Sequence, residues 1–206
     1  MSVSLKKGQK VDLTKGNSAL KRVMVGLGWD EASKGAGLFK SRQHVYDFDC
    51  DAMAFVLDGN GNLSQRNDVV FFNNLNHISG CVIHRGDNLT GGGSGDDEQI
   101  MVELSRLPSQ YERVVFLVSI YQAKERRQHF GMIRNAFIRI VDADTNKEMC
   151  IYNLSSEDYE GACSMVFGEL YRKNGEWKFN AIGQPLNLWS VDQLAERYNL
   201  PRSVWN

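Results

Sequence analysis

The chain has 206 residues, of which 42% are hydrophobic and 24% charged, with a formal net charge of −1. This length and apolar content suffice for one domain with a full core, and the near-neutral balance carries no nucleic-acid signature. No apolar segment follows Met1 to Lys7 as a secretory signal requires, and no run reaches the roughly 18 apolar residues of a membrane helix, so the expected location is cytoplasmic.

In chain order, strand-like apolar runs occupy residues 23–27, 52–57, 68–72, 81–84, 100–104 and 113–121. Further runs follow at 136–141, 149–154, 165–171 and 177–182. Branched and aromatic residues dominate them, and turn formers separate them, which predicts a β-sandwich or barrel. Asp58-Gly59-Asn60-Gly61 and Asn174-Gly175 carry residues that tolerate positive φ, as tight hairpins need. Short helices are predicted at 105–108, with Ser105 as cap, and at 123–128. A better one spans 190–198, where Val191, Leu194, Ala195 and Tyr198 form one apolar stripe. The four cysteines, Cys50, Cys81, Cys150 and Cys163, form no CxxC pair and read as reduced, mostly buried thiols.

Charge is unevenly spread. Residues 1–40 hold eight Lys/Arg against three Asp/Glu, whereas residues 41–100 hold three against nine. The acidic stretch contains residues 86–98, Gly-Asp-Asn-Leu-Thr-Gly-Gly-Gly-Ser-Gly-Asp-Asp-Glu, with four carboxylates, one carboxamide, two hydroxyls, five glycines and no base. Hard cations such as calcium take six to eight oxygen ligands, and glycines let a backbone turn its carbonyls inward. A phosphate loop would need a lysine and would not be acidic. Composition alone leaves a solvated loop as an equal alternative. Asp47, Asp49 and Asp51 follow at period two, which places them on one face of an extended strand. With Asp58 they mimic an EF-hand spacing, but Ala52 stands where that loop needs glycine. Asp142, Asp144 and Asn146 read as a plain turn. Asn73 and Asn74 end a strand, as turn caps or as neutral oxygen ligands.

Nothing in the motifs suggests catalysis. His44, His77, His84 and His129 are scattered and read as surface or turn residues, and no GxSxG, HExxH or Walker A pattern occurs.

Gly26-Leu27-Gly28-Trp29-Asp30, Asp47 to Ala52, Phe71-Phe72-Asn73-Asn74, Gly86 to Glu98, Asn135 to Arg139, Gly168 to Arg172 and Asn174 to Phe179 occur in the order of the TerD family. The resemblance runs from the N-terminus to about residue 184, and the block at 86–98 is its most specific part. It implies a calcium-binding, two-sheet β-sandwich of the bacterial tellurite-resistance and general-stress group, with no established catalytic activity. Where the family loop usually reads GEGDGDDE, this chain has Gly92 and Ser94, and so two fewer carboxylates.

The combined expectation is an all-β sandwich over residues 1–185, with a tail over 186–206 whose short helix packs on it. One or two Ca2+ ions are expected on Asp87, Asn88, Asp96, Asp97 and Glu98, with Asp49, Asp51 and Asn73 as additions from neighbouring strands. The expected role is binding or scaffolding in stress response. The alternative is a metal-dependent hydrolase or phosphatase using the same acidic cluster. Expected partners are other proteins, including family members, or the inner face of the membrane through bridging calcium.

Overall fold

A computed structural model describes residues 2–31, 48–86, 95–154 and 159–205. Its strands are β1 (Val3–Leu5), β2 (Lys10–Asp12), β3 (Arg22–Glu31), β4 (Cys50–Asp58), β5 (Val69–Val70), β6 (Val82–His84), β7 (Glu98–Glu103) and β8 (Tyr111–Ile120). After helix α1 (Ala123–Arg126) come β9 (Ile133–Asp142), β10 (Lys147–Asn153), β11 (Ser164–Lys173), β12 (Glu176–Leu186) and helix α2 (Val191–Glu196). They form two six-stranded sheets, sheet A in the order β1-β10-β9-β3-β7-β6 and sheet B in the order β2-β12-β11-β8-β4-β5. All neighbours are antiparallel except β1 and β10. The fold is the all-β two-sheet sandwich.

The two faces of β4 explain its uninterrupted apolar run. Ala52, Ala54 and Val56 join the core between the sheets with Val25, Leu27, Ile100 and Phe116. Met53, Phe55 and Leu57 face outward into a second core with Leu117 and Val166, and Leu194, Ala195 and Leu200 of the C-terminal segment close it. A strand buried on both faces reads as continuous rather than alternating hydrophobicity. Val191 and Tyr198 complete the apolar stripe against that second core. All four cysteines are free and buried.

Some elements differ from the sequence reading. Residues 105–108 make a turn and a bend rather than a helix. The segment is tied to the neighbouring strands instead, Leu104 O accepting the Trp177 indole N–H and Leu107 O accepting Arg172. The expected strand at 68–72 shrinks to Val69–Val70. Asp68 accepts the Ser64 and Gln65 N–H groups to close a 3-10 turn before it, and Phe71 and Asn74 bond each other in a tight turn after it. β1 and β2 are edge strands of three residues, too short for periodicity to reveal. His77 and His84 are buried rather than superficial.

Candidate metal site

The segment 86–98 returns to sheet A at β7, and its last three acids are fixed in three different ways. Residues 87–94, and with them Asp87 and Asn88, lie outside the described residues, as does Asp47. Glu98 pairs with Leu27 and Gln99 with Gly26 in the β3–β7 ladder. Strand alternation from that register sends neighbouring side chains to opposite faces. The Asp96 carboxylate, fully shielded, sits against the bare face of Gly26 and takes Arg139 in a fork, Nε at 2.6 Å and Nη2 at 2.9 Å. Such bidentate, charge-assisted pairs are the strong, orienting kind. Arg139 also reaches Glu148. Asp97 lies at the sheet end, where its N–H binds Leu27 O and its Oδ2 accepts the Trp29 N–H at 2.7 Å. Glu98, only 2% exposed, turns inward between the sheets and accepts the Ala52 N–H of β4 at 2.7 Å.

His84 completes that inner contact. Its Nδ1 accepts the Gly86 N–H, which leaves the proton on Nε2, 3.2 Å from both Ala52 O and Glu98 Oε2. Glu98 and His84 from sheet A thus clamp the backbone of one residue of sheet B, beyond the reach of the short β5.

The other expected ligands approach from sheet B. Asp49 is half-buried, 3.8 Å from Arg126, and its carbonyl holds the Tyr121 N–H. Asp51 is 8% exposed and opposite Ser119, on the outward face of β4. Asn73 is exposed in the Phe71–Asn74 turn. Between these groups lies Cys50. Burial pushes its thiol well above the ordinary range, and the charges of Asp51, Glu98, Asp49 and Asp97 push it further. Among the described residues, however, no three His, Cys, Asp or Glu side chains form a group able to hold a metal ion.

Asp97 bears the electrostatic cost. Burial raises its carboxyl above the ordinary value; the Trp29 N–H opposes this, and the like charges of Asp30 and Asp96 add to it. Asp30 itself is exposed and accepts the Asn135 amide at 2.7 Å. The sequence reading missed Asp30, Arg139 and His84 as parts of this region. Asp30 and Arg139 stood inside the family blocks, but only as markers of resemblance.

A second polar constellation lies deeper. His77 Nε2 is 3.2 Å from Asp68 and its Nδ1 is 2.7 Å from Ser79 Oγ, in the order of a catalytic triad. Its surroundings are structural. Tyr111 and Gln65 also bind Asp68, and the amides near Ser79 are spent: Ser79 N–H on His77 Nδ1, Gly80 N–H on His77 O, Cys81 N–H on Ser79 Oγ. None of those amides is left to stabilise an oxyanion.

The architecture and sequence both have relatives. Two solved structures share the fold at 23% identity. One is a Streptomyces coelicolor A3(2) homologue of telluride resistance protein (TerD), with a TM-score of 0.61 over 84% of this chain and 94% of that one. The other is a protein of unknown function, with a TM-score of 0.66 over 85% of this chain and 95% of that one. Stress response protein SCP2 of Bacillus subtilis (strain 168) is 45% identical over 96% of this chain and its own full length. General stress protein 16U of the same organism is 48% identical over 89% of this chain and 90% of its own. Tellurium resistance protein TerD of Serratia marcescens is 47% identical over 89% of this chain and 91% of its own. With the TerD domain model matching residues 1–198, the chain belongs to the TerD family.

Proposed function

We propose that this chain is a calcium-dependent binding module of tellurium resistance and general stress response, working inside the cell without catalysis. The observation that carries the calcium reading is Asp97. It is a half-buried carboxylate with one oxygen on the Trp29 N–H and two like charges, Asp30 and Asp96, beside it. A cation there relieves repulsion that the apo fold must bear. The donors around it are oxygens, which suits calcium.

In this reading Asp97 contributes a carboxylate with Asp30 beside it, and Asp87 and Asn88 complete the shell from the loop. Asp96, held by Arg139, and Glu98, held on the Ala52 N–H, act as struts that set the height of Asp97. Bound calcium would supply positive charge and order to the glycine-rich segment, altering what the surface can contact. The partners are other proteins or an anionic membrane face. Four free, buried cysteines fit a reducing compartment.

Titration calorimetry on chelator-treated protein with calcium and with magnesium tests the metal. The expected result is calcium binding that Asp97→Asn removes. No calcium heat overturns the reading, and tighter magnesium binding favours a metal-dependent hydrolase. Pull-downs and liposome sedimentation, each with calcium and with chelator, then test the switch; identical partners in both conditions leave calcium a structural role only.

A further inference from the structure

We propose that the cleft beside the β11–β12 turn binds a phosphate-type oxyanion, free or as an organic monoester, on Arg172 and the hydroxyls of Thr14, Ser105 and Ser109. The cleft holds about 360 Å³ and is built by separate segments: residues 14–20, the turn at 104–109 and the hairpin at 172–177. It is remote from the metal site. The Trp177 indole N–H binds Leu104 O just past the last residue of β7, whereas Asp97 precedes the first. The six residues of that strand, about 20 Å, lie between.

Arg172 is a cation held in place without an acid. Its half-buried guanidinium lies over the buried Trp177 ring, 4.8 Å from the ring centre, and its Nη2 donates to Leu107 O at 3.0 Å. Among the described residues it makes no ion pair. A guanidinium carries five N–H donors in a rigid fork, so most remain for the cleft that it lines. The stack and the carbonyl already fix that fork, so binding costs little further side-chain entropy. Thr14 Oγ1 accepts the Trp177 N–H at 2.8 Å, which positions the hydroxyl and leaves its own proton to donate. Ser105, anchored by its N–H on Lys21 O, and Ser109 add two exposed hydroxyls.

Charge and shape select the ligand class. Among the described residues no carboxylate lines the cleft. In sequence its lining is flanked by Lys15, Lys21, Arg106 and Lys173. Of the flanking acids, Asp12 is bound by Lys178 and Glu103 by Arg106, and Glu176 faces Lys173 in the β11–β12 ladder. A cation would be repelled, and a neutral apolar ligand would desolvate the guanidinium edge without compensating it. A carboxylate is planar, and the fork alone satisfies it. A tetrahedral oxyanion keeps further oxygens for the hydroxyls that arrive from the other two segments. The buried Leu20, Leu104 and Leu107 add apolar lining, and the volume exceeds that of one phosphate, which leaves room for an organic group.

Titration calorimetry at constant ionic strength tests the site, on chelator-treated and dialysed protein so that no calcium bridges the anion. The probes are inorganic phosphate, phenyl phosphate and acetate. Saturable binding is expected with at least one of the two phosphates and none with acetate. Equal or tighter binding of inorganic phosphate marks a free ion, and tighter binding of phenyl phosphate marks a monoester. Arg172→Gln should weaken binding on the order of tenfold. No saturable heat with either phosphate, or an equal response to acetate, overturns the proposal. So does unchanged affinity in a natively melting Arg172→Gln. If that variant does not fold, the exposed pair Ser105→Ala with Ser109→Ala decides: weaker binding supports the site, and unchanged affinity refutes it.

Discussion

Removing the Glu98 side chain tests the inner clamp apart from any metal. In Glu98→Ala the Ala52 N–H loses an acceptor at 2.7 Å, and His84 loses one of the two oxygens 3.2 Å from its Nε2. A hydrogen bond to a charged group contributes about 1.5–3 kcal/mol, and a buried N–H left without a partner costs about 1–3 kcal/mol. These describe the same broken contact and are not summed. With the weakened histidine contact the expected loss is about 3 kcal/mol. At roughly 2–4 °C per kcal/mol for a domain of this size, the melting temperature falls by about 6–12 °C. Glu98→Gln keeps an oxygen for the Ala52 N–H and should lose less than half as much. Urea unfolding in chelator, followed by circular dichroism, reports both variants with bound metal removed. A loss below about 1 kcal/mol for Glu98→Ala would refute the clamp as a stabilising contact.

Four further outcomes follow from the same geometry. Gly26→Ala places a Cβ on the Asp96 carboxylate, so it should cost about 1–3 kcal/mol and be relieved by also changing Asp96 to Gly, as thermal melts of the single and double variants would show. Asp97→Asn removes a carboxyl whose ionisation the fold opposes, so at neutral pH in chelator it should melt higher than the wild type, while no longer gaining stability from calcium; the wild type should gain about 2.7 kcal/mol at a hundredfold excess over Kd. Burial would raise the Asp68 carboxyl, but hydrogen bonds from His77, Gln65, Tyr111 and the Ser64 N–H hold it below its ordinary 3.8, so its contribution is present above that value and lost as pH falls through the lower folded one; melting from pH 7 to 2 should show Asp68→Asn least stable at neutral pH and closing on the wild type below about pH 4. Leu194→Ala empties a fully buried position in the second core and should cost about 2–5 kcal/mol, with faster proteolysis of the C-terminal segment.

Several features were legible in the sequence because their causes are local. Branched and aromatic runs such as 113–121 have one economical conformation, and they became strands. Asn174-Gly175 became the β11–β12 turn, with both residues at positive φ, because few other pairs tolerate it. The Ser190–Tyr198 stripe became α2 through its helical spacing, although Ser190 makes no side-chain cap bond. The ordered family blocks mark the family by residue identity alone.

Tertiary structure decided what each carboxylate does. Three adjacent acids, Asp96, Asp97 and Glu98, look alike in the chain. The β3–β7 register sends the first to Arg139 and the third to Ala52, and leaves the second at the sheet end. Asp49 and Asp51 share a period-two face in sequence, yet one meets Arg126 and the other stands opposite Ser119 on the outward face of β4. Likewise, nothing near His77 or His84 in sequence distinguishes a buried bridge from a surface side chain. The physical reason is common to all of these. Backbone preference acts over a few residues, whereas the field and hydrogen bonds that give an ionisable group its role come from strands far away in the chain, brought close only by pairing and sheet packing.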